Sequence, residues 1–292
     1  MKTLKEYILE AREKGIAVGH FNVSNLEGVY AIADAAQALN VPVIVGVSEG
    51  ERDFTGVKEI AAVVQTLREE RQQPIFLNAD HTYSIDRVKE AVEAGFDAAI
   101  FDGAQLGIEE NIAKAKGCVD FAHEYKKLTN REVVIEGELG YIGTSSKVLT
   151  EVPEGAAISE ENLTKVEDAV RFVKETGVDM LAPAVGNIHG MFAKGKDPAL
   201  SIPTVKAIAD ATGVPLVLHG ASGNSDADVQ AAIKAGVAVV HVNTELRVAY
   251  REGLEGALDA KPDEVAPYKY EKVAKEAMQK VVEEKLRIFN FL

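Results

Sequence analysis

The stretch LNADHTYS, residues 77–84, ends an apolar run by setting Asp80 and His81 side by side. Two further histidines, His189 in GNIHGMF and His219 in VLHGASG, are each followed by glycine. Three neutral imidazoles meeting at one point, with a fourth position open, are a known way to hold a catalytic divalent metal such as zinc. A single histidine at the end of a strand is more often a hydrogen-bonded rim residue, but three on separate strands of one sheet favour a metal. Glycine after histidine lets backbone approach a neighbour closely, and its repetition suggests a substrate held beside the metal. The single cysteine, Cys118, excludes an internal disulfide and a thiolate-rich metal site. His123, in the helical stretch CVDFAHEY, reads as structural, and His20 in GHFN reads either way.

For these side chains to meet, they must stand at the same ends of neighbouring strands. Short runs rich in Val, Ile and Ala alternate with longer segments of helical period, the pattern of βα units on a parallel sheet. The runs are 16–22, 41–47, 73–79, 97–103, 132–138, 178–184, 214–220 and 237–243. Several are preceded by a helix end with glycine, as in EAGFDAAIF and ATGVPLVLH. Eight units without a composition break predict an α/β fold, a TIM (β/α)8 barrel, as one domain over 1–292. An open doubly wound sheet would more often show five or six strands and a glycine-rich first turn, which the sequence lacks. Residues 264–292 read as a C-terminal helical extension with Val273, Ala277, Val281 and Ile288 near one face, to cover the barrel bottom or join a dimer. A TIM barrel carries its active site at the C-terminal strand ends. Polar residues gather there: His20 to Asn22, Ser48 and Glu49, Asp80 and His81, Asp102, Glu136 and Glu138, His189, His219, and His241 with Asn243.

The formal charge of −14 disfavours a polyanion-binding surface, so neither nucleic acid nor an anionic membrane is an expected partner. A small phosphorylated ligand stays open, because helix N-termini bind phosphate without net positive charge. The start, MKTLKEYILEAREKG, reads as an amphipathic helix rather than a signal peptide. No window reaches the roughly 18 consecutive apolar residues of a membrane span. These features point to a soluble, cytoplasmic protein.

The run LNADHTYSIDRVKEAVEAGFDAAIFDGAQLGIEENI, followed by VIEGELGYIG, VGNIHGMF, VLHGASG and VNTELRVAY, resembles the class II, metal-dependent ketose-bisphosphate aldolases, from about Phe21 to about Tyr250. That family includes fructose-bisphosphate and tagatose-bisphosphate aldolases. The resemblance implies that His81, His189 and His219 bind a catalytic Zn2+ and that Asp80 is the acid/base. It also implies that Asp102 and Glu138 take a second divalent or a monovalent cation, or receive the displaced zinc. Gly190, the run Gly220, Ala221 and Ser222, and His241, Val242, Asn243 and Thr244 would hold dihydroxyacetone phosphate, with Asn22 and Ser48 near substrate. Homodimers or homotetramers are implied as well. The chemistry would be Lewis-acid stabilisation of an enediolate, with no Schiff-base lysine.

Three departures from the family pattern stand out. Asn78 replaces a histidine two residues before Asp80, and YIGTSSKVLTEVPEG lacks the acidic loop, leaving Glu151 or Glu154 as substitutes. Val239 and His241 stand where the family often has Lys-x-Asn, so His241 is either a donor and proton carrier or a simple replacement. Three functions follow: a fructose 1,6-bisphosphate aldolase, an aldolase for tagatose bisphosphate or another phosphoketose, and a non-catalytic barrel that binds metal and phosphosugar.

Overall fold

The structure is a computed structural model describing residues 1–143, 147–152, 154–156, 158–192 and 197–292. Its strands among these residues are β1 (Val18–Asn22), β2 (Val43–Val47), β3 (Ile75–Thr82), β4 (Ala98–Phe101), β5 (Val134–Leu139), β6 (Val148–Leu149), β7 (Met180–Pro183), β8 (Met191–Phe192), β9 (Leu216–Leu218) and β10 (Val237–Val242). The helices are α1 (Leu4–Lys14), α2 (Leu26–Leu39), α3 (Glu49–Thr55), α4 (Val57–Arg71), α5 (Ile85–Ala94), α6 (Ile108–Thr129), α7 (Val166–Thr176), α8 (Ile202–Thr212), α9 (Asp226–Ala235), α10 (Thr244–Ala260) and α11 (Pro267–Asn290).

The barrel closes in the order β1, β2, β3, β4, β5, β7, β9, β10 and back to β1, with every pairing parallel. Each of the expected apolar runs supplies one of these eight strands. The parallel pair β6 and β8 was not foreseen, because each is only two residues long.

Alternation along the strands divides the core in two. Outward residues such as Phe21, Val45, Leu77, Phe101 and Leu218 pack against the helices. Inward residues Val18, Ile44, Phe76, Ala98, Val134, Met180, Val217 and Val239 fill the lower barrel. There they meet Leu4, Ile8 and Ala11, a stripe on one face of α1. A Thr3/Glu6 capping box starts α1 and left-handed Gly15 ends it. Burying each large apolar side chain of that stripe contributes on the order of 1.5–3 kcal/mol.

The C-terminal extension differs from expectation in its buried face and in one of its two expected roles, covering the barrel bottom. It is one helix, α11, whose buried residues are Ala274, Met278, Val282, Leu286 and Phe289, one position round from the expected stripe. Val273 is 43% exposed. And α11 packs on α2, α10 and β1, with Ala17 N–H donating to Phe289 O at 3.1 Å, so α1 rather than α11 closes the barrel bottom. Among the described residues no helix is long and apolar enough to cross a membrane.

Candidate active site and metal centre

Consecutive residues of a strand face opposite sides of a sheet, so a regular β3 could aim only one of Asp80 and His81 into the barrel mouth. The strand is not regular. Its register with β4 shifts between Ala79 and Thr82, and His81 takes φ +33°, a left-handed value uncommon for a residue with a side chain. This irregularity turns both side chains to one cavity, with Asp80 Oδ1 3.9 Å from His81 Nε2. Backbone strain at a functional position is the physical answer to the Asp-His pair.

His81, His189 and His219 come together from β3, the segment after β7, and the end of β9, with one nitrogen of each within 4.8 Å of the others. Every ring is fixed from behind. His81 Nδ1 lies 2.9 Å from Asp102 Oδ2, His189 Nδ1 lies 2.6 Å from Gly143 O, and His219 Nε2 lies 2.7 Å from Glu136 Oε1. Each acceptor can take an N–H from the ring and so turns the opposite nitrogen toward the common point, the arrangement that orients histidine ligands. His81 Nε2 and His189 Nε2 approach to 3.1 Å, and His219 Nδ1 is buried without a hydrogen-bond partner. Burial and the neighbouring His81 and His219 rings push His189 down to about 3, so its ring is neutral and able to ligate. The donor set fits a divalent metal of zinc's preference. Asp102 and Glu138 gather at the other edge of His81, with Glu138 Oε2 3.4 Å from Nδ1, and form a second possible cation set.

Asp80 is 3% exposed. Burial alone would raise its pKa, yet the neighbouring His81, His241 and His20 rings hold it well below the ordinary carboxylate range, so it is ionised. Asn22 Nδ2 donates to Asp80 Oδ2 at 2.8 Å and to Glu51 Oε2 at 2.9 Å. Glu51 also accepts from Ser48 Oγ at 2.9 Å and from Arg247 at 2.6 Å. Neither Glu51 nor Glu136 had a role in the sequence reading, although Glu136 was among its strand-end residues. Glu51 has one local partner, Ser48, in a capping box at the start of α3, but its other partners Asn22 and Arg247 lie 29 and 196 residues away and that of Glu136 lies 83 away, beyond any local motif.

His20, Asp80 and His241 also offer ligand atoms within 4.8 Å of one another. However, the rings of His20 and His241 are parallel, with centroids 3.5 Å apart and planes 4° off. Stacked rings aim their lone pairs side by side rather than at one point, so this group is a packed layer and not a cation site. His123 sits exposed on α6, apart from the cluster.

The cavity above the histidines is lined by Asn22, Asp80, His81, His189, Gly190, Gly220, Ser222, His241, Asn243 and Thr244. Ala221 and Val242 instead pack into the apolar layer between barrel and helices. The helix α10 begins at Thr244 with no cap from the Asn243 side chain; instead Ser222 Oγ accepts from Asn243 N–H at 3.4 Å and from Glu245 N–H at 3.5 Å. A helix N-terminus beside loops after the last two barrel strands is a phosphate-binding arrangement. Gly220 has φ +60°, and a Cβ there would lie 2.0 Å from Ile188 O. Its close approach is thus to the chain itself, and it lets the His219 and His189 segments touch. Glu151 and Glu154 are exposed, and Thr144 to Ser146 and Pro153 of the same stretch lie outside the described residues.

A family profile described as "Fructose-bisphosphate aldolase class-II" matches residues 2–291. The chain is 36% identical over 291 residues to a fructose-bisphosphate aldolase of Staphylococcus aureus, covering 99% of this chain and 96% of that one. It is 37% identical to a probable fructose-bisphosphate aldolase of Bacillus subtilis, covering 99% and 97%. Its fold is similar to the crystal structure of the YdjI aldolase of Escherichia coli K12, with a TM-score of 0.81 at 30% identity over 98% of this chain and 96% of that one. Barrel, converging histidines and full-length match agree: the chain is an aldolase, a carbon-carbon lyase, and belongs to the class II fructose-bisphosphate aldolase family.

Proposed function

We propose that the chain is a zinc-dependent aldolase that reversibly cleaves fructose 1,6-bisphosphate to dihydroxyacetone phosphate and glyceraldehyde 3-phosphate, with tagatose bisphosphate or another phosphoketose as the alternative substrate. The observation that carries this reading is the triad of His81, His189 and His219, each held from behind and aimed at a common point. Zinc, when bound there, would supply a Lewis acid that stabilises the charge developing on the ketone half.

The chain's own residues do the rest. Asp80, ionised and buried, removes the proton of the C4 hydroxyl in cleavage and returns it to the aldehyde oxygen in condensation. Asn22 anchors one oxygen of that carboxylate, leaving Oδ1 for the proton. His241 keeps Nδ1 3.6 Å from Asp80 Oδ1 and an unpartnered Nε2 to donate to a substrate oxygen. The N-terminus of α10 and the Gly220 to Ser222 turn receive the phosphate of the ketone half. A second divalent or monovalent cation would lie with Asp102 and Glu138. A homodimer or homotetramer in the cytoplasm completes the reading, supported by exposed Val265, Tyr268 and Val273 around the α10–α11 corner.

The test is a cleavage assay on fructose and tagatose bisphosphates, with chelator and with added zinc. Exchange of a C–H proton of dihydroxyacetone phosphate with solvent separates an enzyme from a non-catalytic binder. Absence of both activities in zinc-loaded protein would favour the binder.

A further inference from the structure

Asn78 and His241, two of the departures from the family pattern that the sequence suggests, meet through His20. His20 and His241 are Cα partners in the β1–β10 register, so both side chains rise from adjacent strands on the inner face. Their rings stack at 3.5 Å, and on its other side His241 lies 4.2 Å from the His219 ring, 18° from parallel. Three imidazoles from β1, β10 and the end of β9 therefore form one column, and its last member is a proposed metal ligand. His20 is fully buried, and its Nε2 lies 3.1 Å from Asn78 Nδ2. A Cβ at Gly46 would fall 2.1 Å from His20 Cε1, so only glycine at that place in β2 admits the ring.

Stability does not account for His20. Its Nδ1 is buried with no partner, which costs free energy that an apolar side chain of similar size would avoid. Nor is His20 among the residues lining the cavity, whereas its neighbours His241 and Asp80 are. What His20 does contact is a ring face. His241 has two useful edges, Nδ1 toward Asp80 and a free Nε2, and both directions are set by the plane of its ring.

We propose that His20 is a positioning residue that fixes the plane of His241, and that Gly46 and Asn78 seat it for this task. Asn78 and His241 are then parts of one device rather than two independent substitutions. The inference rests on the aldolase reading of the site and adds to it the reason why His241 can serve there.

The experiment uses zinc-loaded protein and dihydroxyacetone phosphate C–H exchange. His20→Ala should lower kcat about tenfold, the scale of a misplaced rather than deleted group, with KM and zinc content unchanged. Gly46→Ala, which forces the ring out of its slot, should do the same. In a His241→Ala background neither change should lower the rate further, because His20 acts only through His241. A second readout needs no turnover: in NMR spectra of substrate-free, zinc-loaded protein, the His241 ring protons shielded by the His20 face should move downfield in His20→Ala. Wild-type kcat in His20→Ala, an equal loss in both backgrounds, or unmoved His241 ring protons would each overturn the proposal. If no variant and no wild type shows exchange while the ring protons still move, the positioning stands and the aldolase reading falls.

Discussion

Asn22 donates a 2.8 Å hydrogen bond to Oδ2 of Asp80, so the other oxygen of that carboxylate is left without a partner and faces His81 and His241. One oxygen is an anchor and the other is available. Asp80→Asn keeps the size and the anchor but removes the base. Zinc should stay bound, while cleavage should fall by about 10²-fold or more, the scale of lost general acid-base catalysis. Metal analysis and initial rates check this together. Loss of zinc would make Asp80 a ligand, and near-normal turnover would remove it from the reaction.

The ligands should behave differently. His189→Ala removes a ring held from behind by the Gly143 carbonyl, and it should abolish bound zinc and activity together while circular dichroism shows an intact barrel. His219→Ala should do the same and also strand the fully buried Glu136, at a further cost of about 1–3 kcal/mol in urea unfolding. Full activity in chelator-treated, metal-free wild type would sink the metal assignment.

For His241, the chemistry of the replacement decides the outcome. Asn restores a donor of the kind the family uses, so His241→Asn should retain substantial activity. His241→Ala should lose about 2–4 kcal/mol of transition-state stabilisation, as for one oxyanion donor, read from kcat/KM. Zinc content should be unchanged in both. Equal rates in wild type and Ala would leave His241 a spectator.

A pH effect is expected far from the site. Asp34 of α2 accepts from Arg71 of α4 at 2.7 Å and from Lys275 of α11. Burial opposes ionisation, but these two cations prevail and hold the Asp34 carboxyl below its ordinary value. A lowered folded pKa gives stability that is present above the unfolded value, about 3.9, and is lost as pH falls through the folded one. The carboxylate is partly exposed, so the effect is about 1 kcal/mol or less. Asp34→Asn should therefore unfold at lower urea than wild type near about pH 6, and the gap should close toward about pH 3. A gap independent of pH would refute the ion-pair account.

How much of this was legible beforehand depends on the range of the physics involved. Short Val/Ile/Ala-rich runs and glycine-closed helices are local signals, and from them the eight barrel strands and the rim carrying His81, His189 and His219 could be read. The face of α11 was misplaced by one position, because which side of an amphipathic helix is buried depends on its neighbours, here α2, α10 and β1. The acceptor Glu136, the reach of Glu51 to Asn22 and Arg247, and the stacking of His20 on His241 were not legible either, although the Ser48–Glu51 capping box is itself a local pattern.

The sequence by itself determined which residue types stand at the ends of strands, since side-chain period and turn chemistry act over a few positions. Tertiary structure alone decided which of them touch. The β1–β10 register laid His20 on His241, the irregularity after Ala79 turned Asp80 and His81 to one cavity, and closure of the barrel brought Glu136 behind His219. Those contacts are set by inter-strand register and by a left-handed backbone at His81, and both are properties of paired strands rather than of either strand alone.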